Sequence, residues 1–122
     1  MIYHAALPAE WEAAVKAGRY EVSTRGRSLA DEGFIHAAYE RQVEGVLNRY
    51  YTDVGEVVLL VIDRGTVGAP VLDESVAGEQ FPHIYGALPV AAVIDAVPWK
   101  RAPGGPWEWT AGRPNRETRP DR

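Results

Sequence analysis

The stretch of sequence that decides the fold is residues 56–63, which read EVVLLVID. Its six central side chains are all apolar, so the run does not alternate between apolar and polar positions. A continuous apolar run of this length, bounded by charged residues, is typical of a strand that is covered on both faces. We therefore predict a central strand here, with other elements packed on each side of it.

Several shorter segments have the composition of strands. They are apolar or aromatic and are bounded by glycine, proline or charged residues. These predicted strands are residues 2–5, 20–23, 33–37, 71–74 and 90–97, the last with a helical turn at its start. The segments at 24–32, 64–68 and 75–80 are predicted to be loops or turns because they are polar or rich in glycine.

Two segments have helical spacing. In residues 7–18, Pro8 and Glu10 suit the first turn of a helix, and Gly18 suits its end. Residues 39–51 carry an apolar stripe at i, i+3, i+4 and i+7. The stripe consists of Val43, Val46, Leu47 and Tyr50. These two segments are the main helices of a predicted α+β fold.

The length and the C-terminal composition set the domain prediction. A chain of 122 residues suits one domain. Proline and glycine become frequent from Pro98, and residues 113–122 are charged and almost free of apolar side chains. Such a tail cannot offset the entropy of ordering itself. We therefore predict one domain at residues 1–109 and a disordered tail at 110–122.

Composition excludes several classes of function. The chain has no cysteine, which excludes disulfides, thiolate chemistry, zinc ribbons and iron–sulfur clusters. Its net charge of −4 argues against a nucleic-acid partner, because proteins that bind nucleic acids usually have a basic face. The start of the chain lacks the features of a signal peptide, and the longest apolar run, residues 57–62, is too short to cross a bilayer. We expect a cytoplasmic protein with no membrane partner; the oligomeric state stays unknown.

The three histidines, His4, His36 and His83, each lie near the edge of an apolar element. A single histidine in such a place is more often structural than functional, because buried polar groups usually find partners. Three together favour a shared ligand pocket. No His-x-His, His-Glu-x-x-His or calcium-loop motif is present, and the spacing of the three does not itself support zinc. No metal site is predicted.

Other polar groups could join such a pocket. Glu74 follows a predicted strand and precedes the segment that leads to His83, so its carboxylate either faces the same cleft or faces solvent. Arg25, Arg27 and Ser28 lie in one predicted loop, which either binds a phosphate or carboxylate or is solvated. Glycine-rich nucleotide loops and the serine-nucleophile elbow are absent.

Two motifs carry a family resemblance. They are GFIH at residues 33–36 and FPHIYG at 81–86. Residues 2–4, 59–63 and 88–89, together with Glu74, fit the same pattern. The chain resembles the small bacterial proteins grouped as domain-of-unknown-function family 952, from about residue 2 to residue 97. That family is biochemically uncharacterised.

The resemblance implies a split, bent, mostly antiparallel sheet similar to that of the ADP-ribosyltransferase superfamily. Proteins of that superfamily grip NAD or an ADP-ribosylated intermediate in a cleft. The resemblance implies that His4 holds the ligand, that His36 and His83 line the cleft, that Tyr85 stacks on a ring, and that Glu74 is the late carboxylate. Three positions depart from the family pattern: Ala38 replaces a serine, Ala87 a proline and Asp73 an aromatic residue.

Three functions stay open at this point. The first is an NAD-utilising enzyme of ADP-ribosyl-transfer type, with Glu74 and His83 as catalytic residues and NAD as the candidate substrate. The second is a non-catalytic module that binds a nucleotide or phosphorylated metabolite. Its polar anchors would be His4, His36 and His83. For any of these functions, the predicted ligand-binding residues are His4, His36, Tyr85, Arg25 and Ser28. The third is a hydrolase or isomerase with histidine as general base.

Overall fold

The computed structural model describes residues 1–108. Within this range the elements are β1 (Ile2–Ala6), α1 (Pro8–Ala17), β2 (Arg19–Tyr20), β3 (Val22–Thr24), β4 (Arg27–Ser28), α2 (Leu29–Glu32), β5 (Ile35–His36), α3 (Glu40–Tyr50), β6 (Glu56–Ile62), β7 (Val71–Val76), β8 (Glu79–Ile84), β9 (Leu88–Pro89) and β10 (Val93–Lys100). Two 3-10 turns, Arg64–Thr66 and Val90–Ala92, precede β7 and β10. All strand pairs in these residues are antiparallel, which confirms the predicted α+β class.

Strand β6 is the centre of the first sheet, whose order is β1-β6-β10. Its side chains alternate between two hydrophobic cores. Val58, Leu60 and Ile62 pack into one core. Val57, Leu59 and Val61 pack into the other. The predicted central strand with two covered faces is therefore confirmed, and both of its neighbours are antiparallel to it.

The two predicted helices cover opposite faces of this sheet. Helix α1 contributes Ala14 to the core around Leu60. Helix α3 contributes Val43 and Leu47 to the core around Leu59. Each helix therefore buries part of its apolar face, while Tyr50 of the predicted α3 stripe and Val15 of α1 are exposed.

A second three-stranded sheet, of order β5-β8-β7, joins the first through one backbone bridge. In this bridge the N–H of Tyr3 donates to the carbonyl of Ala38, and the N–H of Ala38 donates to the carbonyl of Tyr3, both at 2.8 Å. The remaining strands form the pairs β2–β9 and β3–β4. The bridge fixes the second sheet against the N-terminal strand of the first.

Two loop predictions are wrong. Within residues 24–32, β4 pairs with β3 and is followed by a third helix, α2. Ser28 caps α2: its Oγ accepts from the N–H of Asp31 at 3.1 Å, and the Asp31 carboxylate accepts from the N–H of Ser28 at 3.2 Å. Such a reciprocal cap stabilises even a short helix. Residues 75–80 form a β-hairpin rather than a loop.

The hairpin turn consists of Ala77 and Gly78, with φ angles of 52° and 87°. Two consecutive positive φ angles are those of the type I′ turn, whose twist matches that of the strands it connects. This conformation suits Gly78 and strains Ala77, because a Cβ disfavours the left-handed region.

Residues 99–107 return the chain to the core beside α3. Trp99 and Trp107 are both buried, and their rings meet edge to face. The Trp107 indole N–H donates to the carbonyl of Tyr51 at 3.0 Å. The predicted tail, residues 110–122, and the predicted domain end at residue 109 lie outside the described residues, so the domain boundaries stay a prediction. No helix in residues 1–108 combines the length and apolar character of a transmembrane span.

We expect Ala77→Gly to raise the free energy of unfolding by about 0.5–1 kcal/mol, because glycine relieves the left-handed strain. Gly78→Ala, the matched change at the neighbouring position, should lower it by a similar amount. Urea denaturation of the two variants and the parent chain measures both effects. A loss of stability in Ala77→Gly would contradict the turn assignment.

Candidate functional site

All three histidines line one cleft of about 740 Å³. Its walls come from β1, the segment after β5, one face of α3, and the hairpin β7–β8. Thr24, Arg25, Tyr50 and Tyr51 complete the lining. A cleft of this size suits a small organic ligand.

Strand register brings the histidines together. His36 in β5 lies opposite His83 in β8, and their ring centroids are 5.4 Å apart. The backbone carbonyl of His36 accepts a hydrogen bond from His4 Nδ1 at 2.5 Å. Residues that are distant in sequence therefore meet because three strands align.

Both ring nitrogens of His4 form hydrogen bonds with protein groups. Because a carbonyl can only accept, Nδ1 carries the proton, and Nε2 accepts from the Tyr20 hydroxyl at 2.8 Å. Burial lowers the pKa of His4 to about 4. Burial also raises the pKa of Tyr20. His4 is therefore a neutral, fixed part of the cleft wall at physiological pH.

His83 has two protein contacts and one ring nitrogen without a hydrogen-bond partner in residues 1–108. Its ring stacks on Phe34, with centroids 4.2 Å apart. Its Nδ1 donates to Glu74 Oε1 at 2.7 Å. Its Nε2 is buried and has no hydrogen-bond partner within residues 1–108. An unsatisfied buried polar atom costs about 1–3 kcal/mol, so this nitrogen is the unusual feature of the site.

Glu74 lies behind His83, outside the lining of the cleft. Its Oε1 also accepts a hydrogen bond from the Tyr85 hydroxyl, at 2.5 Å. The hydrogen bonds from Tyr85 and His83 lower the pKa of Glu74, and the same carboxylate raises the pKa of Tyr85. The geometry makes Glu74 the group that orients the His83 ring; the predicted roles of Glu74 in catalysis and of Tyr85 in stacking on a ligand stay predictions.

His36 is the most accessible of the three rings. Its Nε2 lies 3.5 Å from Glu32, and 42% of its side chain is exposed. Burial lowers the pKa of His36, and the hydrogen bond to Glu32 acts in the opposite direction. This ring can contact a ligand directly, because it faces the cleft without being fully enclosed.

The predicted basic loop does not act as one unit. Ser28 lies outside the cleft as the cap of α2, and Arg27 forms an ion pair with Glu32. Arg25 lines the cleft, but two of its guanidinium nitrogens bind both oxygens of Asp53. That ion pair lowers the pKa of Asp53 to about 2. The charge of Arg25 is therefore largely committed to a protein partner.

Sequence reasoning missed the contribution of α3. Arg41, Gly45 and Arg49 all line the cleft. Their spacing of four residues places them on one face of a helix, and an isolated glycine inside a helical pattern is less favourable than alanine. Both features were visible in the sequence, but the side of the helix that faces the cleft was not.

Glu79 is the carboxylate that lines the cleft. Its Oε1 accepts from the Gln42 amide at 2.8 Å. The same amide nitrogen donates to the carbonyl of Gln80, and the amide oxygen accepts from the N–H of Tyr39. Gln42 therefore ties the hairpin to the start of α3 and fixes the position of the Glu79 side chain.

Metal binding has little support in this part of the chain. No cluster of three or more histidine, aspartate or glutamate side chains suited to a metal occurs in residues 1–108. His4 has both ring nitrogens in hydrogen bonds, so it cannot act as a ligand without breaking one of them.

Comparison with known proteins gives the family. The sequence model described as "Protein of unknown function (DUF952)" matches residues 5–96. The chain belongs to this family. The DUF952 assignment confirms the resemblance carried by the GFIH and FPHIYG motifs.

Two solved structures are similar to this DUF952 chain. The crystal structure of protein CC0527 from Caulobacter crescentus has a TM-score of 0.78 and 28% identity, and covers 89% of this chain and 94% of its own. The solution NMR structure of CC0527 has a TM-score of 0.74 at 28% identity, with 88% and 91% covered. No curated protein sequence matches the chain.

We expect the His4 imidazole to titrate with a pKa near the value of about 4 set by its burial. In the unfolded chain the pKa of His4 has its ordinary value of 6.5. The contribution of neutral His4 to the free energy of unfolding is therefore complete above that pH. The contribution, about 3 kcal/mol, is lost as the pH falls from about 6.5 towards 4. NMR titration of the His4 ring measures the pKa; a value near 6.5 would contradict the buried, neutral assignment.

Proposed function

We propose that this protein binds a nucleotide-type small molecule in the histidine cleft. The observation that carries the proposal is the unpartnered, buried Nε2 of His83. In the neutral form of the ring, with Nδ1 donating to Glu74, Nε2 is an unused hydrogen-bond acceptor. A hydroxyl or N–H group of a ligand would supply the missing donor once the side chains that shield Nε2 from solvent move aside.

The surroundings of His83 support recognition rather than a packing defect. Stacking on Phe34 and the hydrogen bond to Glu74 hold the ring in one orientation. Pre-organised polar groups of this kind bind ligands with little loss of entropy. A nitrogen that is fixed, buried and unpartnered in a cleft wall is costly to the free protein, and ligand binding recovers that cost.

The chemistry of the remaining lining supports a nucleotide. Phe81 and Tyr50 offer aromatic surface for a base, and Arg41 and Arg49 offer positive charge for phosphate. A sugar hydroxyl is the natural donor to His83 Nε2. NAD is the candidate ligand that the family resemblance implies, and ADP and ADP-ribose are its parts.

We expect His83→Phe to weaken the binding of NAD, ADP-ribose or ADP by at least about tenfold, because it removes the acceptor and keeps an aromatic ring. Arg19→Gln is the control, since Arg19 is exposed and lies outside the cleft. Calorimetric titration of the full chain measures the affinities, and thermal melting verifies that both variants fold. Equal affinity in His83→Phe, or no binding of the three nucleotides to the parent chain, would overturn the proposal.

A catalytic form of this function is the second candidate, and the placement of Glu79 favours it. In ADP-ribosyl transfer the bond between C1′ of the ribose and the nicotinamide nitrogen breaks, and nicotinamide leaves with the electron pair. An acceptor hydroxyl or water then attacks C1′ and loses its proton. A fixed carboxylate in the cleft wall, such as Glu79, stabilises the positive charge that develops on the sugar. A fold similar to that of ADP-ribosyltransferases is part of this candidate.

Nicotinamide release from NAD tests the catalytic form. Glu79→Gln should retain NAD binding and abolish release, because it removes the charge but keeps the shape. Glu74→Gln should instead weaken binding, because it disturbs the orientation of His83. Binding of NAD without release by the parent chain would leave a non-catalytic binding module and rule out the transferase.

A further inference from the structure

We propose that the face of α3 formed by Arg41, Gly45 and Arg49 is the phosphate subsite of the cleft. It would hold the phosphate or pyrophosphate of the ligand between the two guanidinium groups. The inference rests on the proposed nucleotide binding and goes further, because it places the phosphate on one face of α3 and gives Gly45 a role in binding it.

The spacing places a flat surface between two positive charges. Residues four apart on a helix lie on the same face and about 6 Å apart along its axis. Arg41 and Arg49 therefore flank Gly45 by one turn on each side, and all three line the cleft. A phosphate on the helix surface at Gly45 would be within reach of both side chains.

Gly45 has no structural reason to be glycine within residues 1–108. It lies inside α3, where glycine is less favourable than alanine. Its φ angle is not among the positive ones, so the backbone does not require glycine. A Cβ built on it would meet no other atom within 4 Å, so packing does not require glycine either. The missing side chain leaves open space on this face of the helix, where a ligand would fit.

The arginines are arranged so that they can bind phosphate. The Arg41 guanidinium lies over the Tyr39 ring, 5.4 Å from its centroid, and that of Arg49 lies over Tyr50 at 5.9 Å. A guanidinium group beside an aromatic ring still carries N–H donors in its own plane. These planar donors match the geometry of phosphate oxygens.

Neighbouring charges confine the anion to this face. Arg25, which donates to the carbonyl of Tyr50 at the end of α3, is committed to Asp53 and adds little net charge. Glu79 is the acidic group of the cleft wall, and it would repel an anion from the hairpin side. The region between Arg41 and Arg49 is therefore the electrostatically favourable position for a phosphate.

Variants at Gly45 separate ligand binding from folding. Gly45→Ala and Gly45→Leu should raise the melting midpoint by about 2–5 °C, because both residues favour helix over glycine. Gly45→Leu should weaken the binding of ADP by at least about tenfold, because its side chain occupies the space above the helix. A Gly45→Leu variant that binds ADP like the parent chain would overturn the subsite.

Charge variants test the same site with inorganic pyrophosphate as the probe. Arg41→Gln and Arg49→Gln should each weaken pyrophosphate and ADP binding about tenfold, and Arg19→Gln, an exposed arginine outside the cleft, should not. In the parent chain, pyrophosphate should shift the backbone NMR signals of Arg41, Gly45 and Arg49. Nucleotide binding that is lost in His83→Phe but kept in both arginine variants would reject the subsite and leave the proposed function standing. Failure of the parent chain to bind any nucleotide would reject both.

Discussion

Strand β6 has no solvent-facing side, and the rest of the fold depends on this constraint. Each of its faces must be covered, so α1 packs on one and α3 on the other. Pairing with β6 also fixes the register of β1, in which His4 lies opposite Leu60. The bridge between Tyr3 and Ala38 holds the second sheet against β1. In that sheet His36 lies opposite His83. The cleft is therefore a consequence of how the central strand is buried.

Within the cleft, the histidines differ in how many of their ring nitrogens have hydrogen-bond partners in the protein. His4 has two protein partners, and burial lowers its pKa to about 4. His83 has one partner, Glu74, and a second nitrogen without any in residues 1–108. The first arrangement stabilises the fold, and the second leaves a cost that a ligand can remove. The α3 glycine carries a second such cost, and proteins commonly accept costs of this kind at binding sites.

The sequence predicted the elements that depend on long periodic patterns. The apolar run of β6 and the stripe of α3 each extend over many residues, so the positions of these two elements could be predicted from the sequence. Helix α2 was missed because a four-residue helix rests on one local cap, that of Ser28 and Asp31. The hairpin was missed because a turn of Ala77 and Gly78 lacks the usual asparagine or aspartate signal.

The meeting of the three histidines was a sequence expectation. Which of their nitrogens lack a partner depends on strand register and side-chain direction, which composition and spacing do not encode.

The most direct test is the 15N NMR spectrum of the His83 ring in the labelled full chain, at mildly alkaline pH, with and without saturating NAD or ADP. The account predicts a proton on Nδ1 and none on Nε2 in the free protein. It also predicts that the Nε2 resonance moves upfield on ligand addition, because the nitrogen then accepts a hydrogen bond. A free ring with its proton on Nε2, or an Nε2 resonance that neither nucleotide moves, would contradict it.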